Sequence, residues 1–311
     1  MILIVGATGV LGQVAAHQLL QAGYRVRLLT RVPARARALA AAGAEVVAGD
    51  LTDPPTLLPA LCGVETVLTA AHGLLGRGKY RSERVDDAGH RALIDAARQA
   101  GVKHFIYTSV HGASPTHPID FYRTKYRIEQ YLRQSELPFS ILRPSAFMEW
   151  HAHNLLGKSV LEKGSTIIFG SGTNPTNFVA AQDIAQLVLR LLADEKVRNR
   201  LILIGGPTNP TRNEVAALYG QRAGITAKVR HLPVGMLRVM ATALRPFHPG
   251  ISRVLRMGAG ADAQDETLDM TDTLRLFPLA LTSLEAFVTE QVAKHNQCRP
   301  VRDSAVQPLI A

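Results

Sequence analysis

The chain opens MILIVGATGVLGQ, an apolar run interrupted by Gly6, Gly9 and Gly12. Ile2–Val5 has no polar alternation, which marks a strand buried on both faces. A helical pattern starts directly after Gly9, so the GxxGxxG stretch is a strand-to-helix turn and more than a bare glycine match. Gly6 permits the tight turn, Gly9 lets a pyrophosphate approach the backbone, and Gly12 lets the helix pack on the strand. The free amides at the helix start then face the phosphates. A buried strand that runs straight into a helix requires its next strand to lie parallel, reached by a crossover.

The next 140 or so residues repeat that unit. Short apolar runs at Ile2–Val5, Arg25–Leu29, Glu45–Ala48, Thr66–Thr69, His104–Thr108 and Phe139–Leu142 predict strands. Longer amphipathic stretches at Val10–Ala22, Pro33–Ala42, Pro55–Leu61, Arg81–Ala100 and Asp120–Gln134 predict helices. Gly23, Gly43, Gly63 and Gly101 follow helices, where a terminating glycine belongs. The alternation implies an α/β fold with a doubly wound parallel sheet covered on both faces. After Leu142 the rhythm changes. Helices are expected at Gln182–Leu192, Thr211–Arg222 and Ser283–Asn296, and strands at Leu201–Gly206 and Val229–Val234. Thr211 and Glu214 have the spacing of a capping box. The expected organisation is a nucleotide-binding domain over residues 1–145, completed by 178–206. A smaller, mostly helical C-terminal substrate subdomain takes 146–177 and 207–296, and residues 297–311 form a flexible tail.

Composition excludes several functions. The net charge of +10 is scattered among interleaved acids, and its densest patch, Arg77–Asp87, ends in acids. No basic helix with interleaved aromatics and no zinc pattern accompanies it, so no nucleic-acid partner is expected. No apolar run reaches the length of a membrane span, and no membrane partner is expected. Val234–Leu244 carries Arg238 and reads as an amphipathic helix over a core or pocket, with a membrane-surface helix as the alternative. Cys62 and Cys298 form no metal or redox motif, and no metal site is expected. With no secretory signal ahead of the first strand, a cytoplasmic protein is expected.

Position along the fold nominates the cofactor residues. Gly6, Thr8, Gly9, Val10 and Leu11 surround the phosphate turn. An NAD site places a carboxylate at the end of the second strand for the ribose 2′-hydroxyl. Here that strand ends in Thr30 and Arg31 with no acid nearby, and Arg31 suits a 2′-phosphate. NADP(H) is therefore expected in preference to NAD(H), unless Arg31 is a plain surface residue. Asp50 and Leu51 follow the third strand and flank the adenine, or Asp50 is a turn acid. Ala70 and His72 end the fourth strand, where small residues would let a cofactor lie across the strand tips and His72 would face the crevice, unless His72 is structural. Phe121, Lys125, Ile128 and Leu132 share one helix stripe, three apolar residues and one cation. Lys125 either meets a ligand or snorkels to pair with Glu129.

GATGVLGQ, the arginine of LLTRVP, GDL and YTSVHGAS occur in that order. FYRTKYRIEQYLRQSELPFSILRPSAFMEW and NFVAAQDIAQLVLRLL follow them. Together they resemble the NmrA-like branch of the atypical short-chain dehydrogenase/reductases. That branch includes isoflavone-reductase-like enzymes, NADPH-dependent quinone and dye reductases, and redox sensors without turnover. The resemblance implies a Rossmann-type fold and NADP(H) binding, with Lys125 as the active-site lysine. It also matches Arg143 and Pro144 to the family's Leu-Arg-Pro turn and Asp183 to the aspartate that opens a later helix, a structural first-turn acid. Its specificity is concentrated in the first half of the chain.

Typical short-chain dehydrogenases carry Tyr-x-x-x-Lys, but this chain has Phe121 four residues before Lys125. Phenylalanine has no proton to give. The candidate catalytic groups are then Lys125, Ser109 at the end of the fifth strand, and Tyr122, which projects about 100° away from Phe121. Phe147, Met148 and Trp150 are expected to wall a substrate pocket or to pack in the core. Two functions follow. One is an NADPH-dependent reductase passing hydride to a small conjugated or quinone-like acceptor. The other is a non-catalytic NADP(H)-binding sensor or assembly protein.

Overall fold

The computed structural model describes residues 1–260 and 262–298. Six parallel strands match the expected positions to within two residues: β1 (Ile2–Val5), β2 (Val26–Thr30), β3 (Glu45–Ala48), β4 (Thr66–Thr69), β5 (His104–Thr108) and β6 (Phe139–Pro144). Between them run α1 (Val10–Gln21), α2 (Arg37–Ala41), α3 (Leu57–Ala60), α4 (His90–Gln99) and α5 (Asp120–Arg133). Short 3-10 turns precede α2 and α3, and a wide π-type segment, Glu83–Gly89, precedes α4. A second π-type segment, Met148–Gly157, leaves the sheet between β7 (Ala146–Phe147) and α6 (Lys158–Lys163).

The remainder contains β8 (Ser165–Phe169), β9 (Phe178–Val179), α7 (Ala181–Ala193), β10 (Arg200–Ile204), α8 (Arg212–Ala223) and β11 (Lys228–Leu232). It ends with α9 (Val234–Leu244), α10 (Pro249–Gly260), α11 (Thr271–Leu276) and α12 (Leu284–Cys298). The Thr211–Glu214 capping box forms in full. β7, β8, β9 and α6 replace the irregular stretch expected after Leu142, a region whose elements are short and depend on pairing across the chain. The helix α12 runs to Cys298, into the expected tail, whose remaining residues 299–311 lie outside the described residues.

The central sheet has the order β10-β6-β5-β4-β1-β2-β3, and every neighbouring pair is parallel. The winding reverses between β1 and β4, and ligands of such sheets bind where the strand tips part at that point. One face is covered by α1 and α7 and holds Ile4, Leu11, Leu28 and Leu187. The other is covered by α3, α4 and α5 and holds Leu57, Leu93, Phe105 and Ile128. A third core joins Met148, Leu156, Tyr219, Phe287 and Val288, and the α9–α10 hairpin has a small core of its own. Asp183, fully buried, accepts from the Thr282 amide and hydroxyl and thereby ties α7 to the segment before α12. Among the described residues no helix is long and apolar enough to cross a membrane.

His90 is fully buried between the Thr69 hydroxyl and the Val85 carbonyl, at 3.0 and 2.9 Å. Burial, reinforced by the Lys125 cation, lowers its pKa to about 4. Unfolded histidine titrates near pH 6.5, so between these values the unfolded chain binds the extra proton. The contribution of neutral His90 is present above about pH 6.5 and is lost as the pH falls toward about 4. Its order of magnitude is about 3 kcal/mol. Urea unfolding at pH 7 and pH 5 is expected to show this loss in the wild-type chain and a smaller one in His90→Asn.

Candidate active site at the strand tips

The first turn is built as the glycine spacing requires. Gly6 has φ +89°, and a Cβ there would lie 2.6 Å from the Ala71 amide nitrogen. A Cβ on Gly12 would lie 2.3 Å from the Gly6 carbonyl oxygen. Neither position accepts a side chain. Gly9 differs: it is exposed, and an added Cβ would meet only the Gly6 oxygen, at 3.3 Å. Gly9 is the N-cap of α1, no side chain caps the helix, and no acid stands in its first turn. The amides of Val10 and Leu11 and the positive helix end therefore face outward, an arrangement suited to a pyrophosphate. The Leu11 side chain is core, so its part is limited to its backbone. Thr8 is half-buried beside the turn, its carbonyl accepting from Gln13 at 3.0 Å.

At the end of β2 the Arg31 guanidinium lies 4.2 Å from the centroid of the Tyr80 ring, and Lys79 Nζ lies 5.0 Å from it. Two cations thus converge on one ring beside the second strand. Lys79 and Tyr80 were not candidates from sequence; the basic patch at Arg77–Asp87 was visible, but not the strand it meets. At the tip of β3, Asp50 Oδ1 accepts from the Thr52 amide at 2.9 Å, as in the turn-acid alternative. Leu51 is buried in the second core cluster and lies against Gly89.

The stripe on α5 is buried throughout, Lys125 included at 3% exposure. Lys125 Nζ donates to the Thr108 carbonyl at the tip of β5, 2.9 Å away. It lies 4.9 Å from the Tyr107 ring centroid and 5.6 Å from that of Phe121. Burial lowers its pKa, with the fields of Asp86 and Glu129 opposing. The snorkelling pair with Glu129 does not form. Glu129 is fully buried and takes a bidentate bond from Arg143, at 2.8 and 2.6 Å, and a short one from the Ser109 hydroxyl. The Ser109 hydroxyl donates to Glu129, which ties the end of β5 to α5. The acid that engages both residues, Glu129, was considered from sequence only as a partner for Lys125.

Ala70 and His72 follow the end of β4. The Ala70 amide donates to the Val5 carbonyl at 2.9 Å, joining the tips of β4 and β1. His72 stands edge-on to Phe121, with ring centroids 6.3 Å apart. Its imidazole is open to solvent at the mouth but closely surrounded by protein. That desolvation lowers its pKa, Asp86 opposing and Lys125 adding to the effect. Asp86 holds this loop: fully buried, it accepts from the Gly73 amide at 3.1 and 3.0 Å and from Ser82.

Tyr122 points to the other side. Its ring stacks on His117 at 4.0 Å, and its pKa is raised to about 12 by burial and Glu266, with Arg212 opposing. Glu266 is paired with Arg212 at 2.6 Å and takes the Thr176 hydroxyl at 2.9 Å. Arg212 Nη1 and His111 Nδ1 are buried without a protein partner among the described residues. His151, lowered to about 4 by burial and Arg212, is neutral near the same group. Of the expected apolar wall, Met148 belongs to the third core, Phe147 is half-buried against the first, and Trp150 is 41% exposed. Among the described residues no group of three or more metal-ligating side chains is placed to hold an ion. Separate concavities of about 280 and 220 Å³, against Phe277 and against Tyr126, border neither Gly9 nor Lys125.

The open cap of α1 yields a test in which stability and binding move apart. Gly9→Asp supplies the missing cap and is expected to leave stability unchanged or raise it by a few tenths of a kcal/mol. The same carboxylate occupies and repels the anion position, so NADPH affinity should fall by about tenfold or more. Thermal unfolding and fluorescence titration check the two halves.

The NmrA-like family model matches residues 1–257. A photosystem II assembly factor of Trieres chinensis is 30% identical over 295 residues, covering 93% of this chain and 92% of the relative. An NAD(P)H azoreductase of Xenophilus azovorans is 32% identical over 226 residues, covering 72% of this chain and 74% of the relative. The solved NADPH complex of an NADPH-dependent quinone oxidoreductase from Escherichia coli superposes with a TM-score of 0.76 at 26% identity, covering 94% of this chain and 99% of that one. With its doubly wound sheet and the phosphate turn at the switch point, the chain has the fold of NAD(P)H-binding reductases and belongs to the NmrA-like family.

Proposed function

We propose that the chain is an NADPH-dependent reductase that passes hydride to a small conjugated or quinone-like acceptor. The observation that carries this reading is the buried Lys125, anchored by one bond to the Thr108 carbonyl at the strand tips. An ammonium has three donors, and the two remaining suit the hydroxyls of a nicotinamide ribose. In this reading residues 1–145 and 178–206 hold the cofactor, while 146–177 and 207–296 shape the acceptor side. Arg31 and Lys79, gathered on Tyr80, favour NADP(H) over NAD(H), because a 2′-phosphate needs cations where NAD sites place an acid.

When bound, the reduced nicotinamide supplies the hydride. The uncapped α1 amides would hold the pyrophosphate and Lys125 the ribose, and the Lys125 charge would stabilise negative charge developing on the acceptor. Ser109, Glu129 and Arg143 keep the end of β5 and α5 in register. Phe121 gives no proton, and the Tyr122 phenol, raised to about 12, is a weak acid. Acceptors whose reduced form is a stabilised anion, such as quinones, fit that limitation: the proton is taken from solvent after the hydride step. Tyr122, Arg212, His111 and the Phe147–Trp150 edge line the acceptor side.

Phe121 in the proton donor's place also favours a second reading, an NADP(H)-binding assembly or sensor protein without turnover, as the similarity to an assembly factor allows. Steady-state NADPH oxidation across a quinone panel separates the two. The reductase reading expects turnover, with kcat/KM reduced by about a hundredfold or more in Lys125→Ala. Tight NADPH binding with no turnover on the whole panel supports the assembly reading.

A further inference from the structure

His72 stands three residues beyond Thr69, the last residue of β4. β4 pairs with β1 where the winding of the sheet reverses, and ligands of such sheets bind at that point. The His72 imidazole meets Phe121 edge-on, with ring centroids 6.3 Å apart and ring planes at 78°. Lys125 Nζ lies 5.6 Å from the centroid of the same phenyl ring. Phe121, which has no proton to give, is thus bordered by a buried cation and by an imidazole that reaches solvent.

The imidazole has a defined tautomer. The Leu74 amide donates to His72 Nδ1 at 3.4 Å, so in the neutral ring the proton is on Nε2. Nε2 has no hydrogen-bond partner among the described residues. Desolvation lowers the pKa of the ring, Asp86 opposing and Lys125 adding, so it is neutral at pH 7. The backbone that follows His72 is held on two sides. The Gly73 amide donates to both oxygens of buried Asp86, at 3.1 and 3.0 Å. Arg253 of α10 donates to the Leu74 carbonyl at 2.9 Å while it pairs with Asp120, at 2.8 and 2.7 Å. The residue whose amide orients His72 is thereby fixed to α10 and to the first turn of α5, and the ring presents a free N–H beside Phe121 and Lys125.

We propose that His72 is a catalytic residue: its Nε2–H donates a hydrogen bond to the acceptor oxygen that becomes anionic when the hydride arrives. The inference rests on the reductase reading and goes beyond it by assigning the donor that Phe121 cannot be. The acceptor gains two electrons and the hydrogen of the hydride, and the nicotinamide is oxidised. The hydroquinone anion so formed takes its proton from solvent. His72 keeps its own proton throughout and lowers the energy of the charge as it develops, as a pre-oriented neutral donor does. The substrate class that benefits is one whose negative charge collects on an oxygen, which quinones satisfy.

Single-turnover mixing of the NADPH-loaded chain with a quinone panel that includes 1,4-benzoquinone and menadione isolates the hydride step. His72→Leu should slow that step by about a hundredfold, with NADPH affinity within about twofold of wild type and an unchanged melting temperature. His72→Gln keeps a donor near the place of Nε2 and should transfer hydride about tenfold faster than His72→Leu. Equal rates in wild type and His72→Leu overturn the inference and leave the reductase reading standing. So does weaker NADPH binding in His72→Leu with an unchanged rate at saturating NADPH, which makes His72 a cofactor contact. Equally slow transfer in both variants with a lowered melting temperature marks a brace of the loop and overturns it as well. No transfer from the wild-type chain to any quinone of the panel overturns both the inference and the reading on which it rests.

Discussion

Lys125 lies in the core with a single protein hydrogen bond among the described residues, to the Thr108 carbonyl, and a buried cation imposes conditions on its surroundings. An ammonium removed from water is costly unless charge or dipoles compensate it. Here the compensation is diffuse. The carboxylates of Asp86 and Glu129 oppose the desolvation from different sides, and each is held by other partners. Asp86 is occupied with the Gly73 amide and Ser82, and Glu129 with Arg143 and Ser109. The lysine is thus placed and partly compensated, but its donors are not saturated. That arrangement fits the proposed role of Lys125, with two donors left over for the hydroxyls of a nicotinamide ribose.

The two carboxylates also connect the site to the fold. Asp86 sits in the π-type segment before α4 and fixes the loop after β4, on which His72 stands. Glu129 joins α5 to the ends of β5 and β6 through Ser109 and Arg143. Asp120, one turn before Lys125, takes Arg253 from α10 and so brings the C-terminal hairpin against the same helix. The strand tips, the crevice wall and the hairpin are linked through acids that flank or face a single helix.

Local pattern carried the nucleotide half. Buried parallel strands read as uninterrupted apolar runs, and the glycines that end helices recur where expected, so β1 to β6 could be placed from sequence. The two-residue strands β7 and β9 could not, because their existence depends on pairing across about thirty residues and not on their own pattern. The site divides in the same way. Gly6, Gly9, Gly12 and Lys125 were visible because their spacing is local. The partner of Ser109, the cations over Tyr80 and the turn role of Asp50 depend on which segments meet, and composition does not encode that.

In the proposed function the strand tips take a phosphorylated dinucleotide, with Arg31 at its 2′ end. Equilibrium titration of the purified chain with NADPH and with NADH, followed by nicotinamide fluorescence, tests it most directly in the wild type and in Arg31→Asp. NADPH should bind about tenfold or more tighter than NADH in the wild type, and Arg31→Asp should lose or reverse that preference. Failure of either nucleotide to bind, or equal affinities unaffected by the substitution, would contradict it.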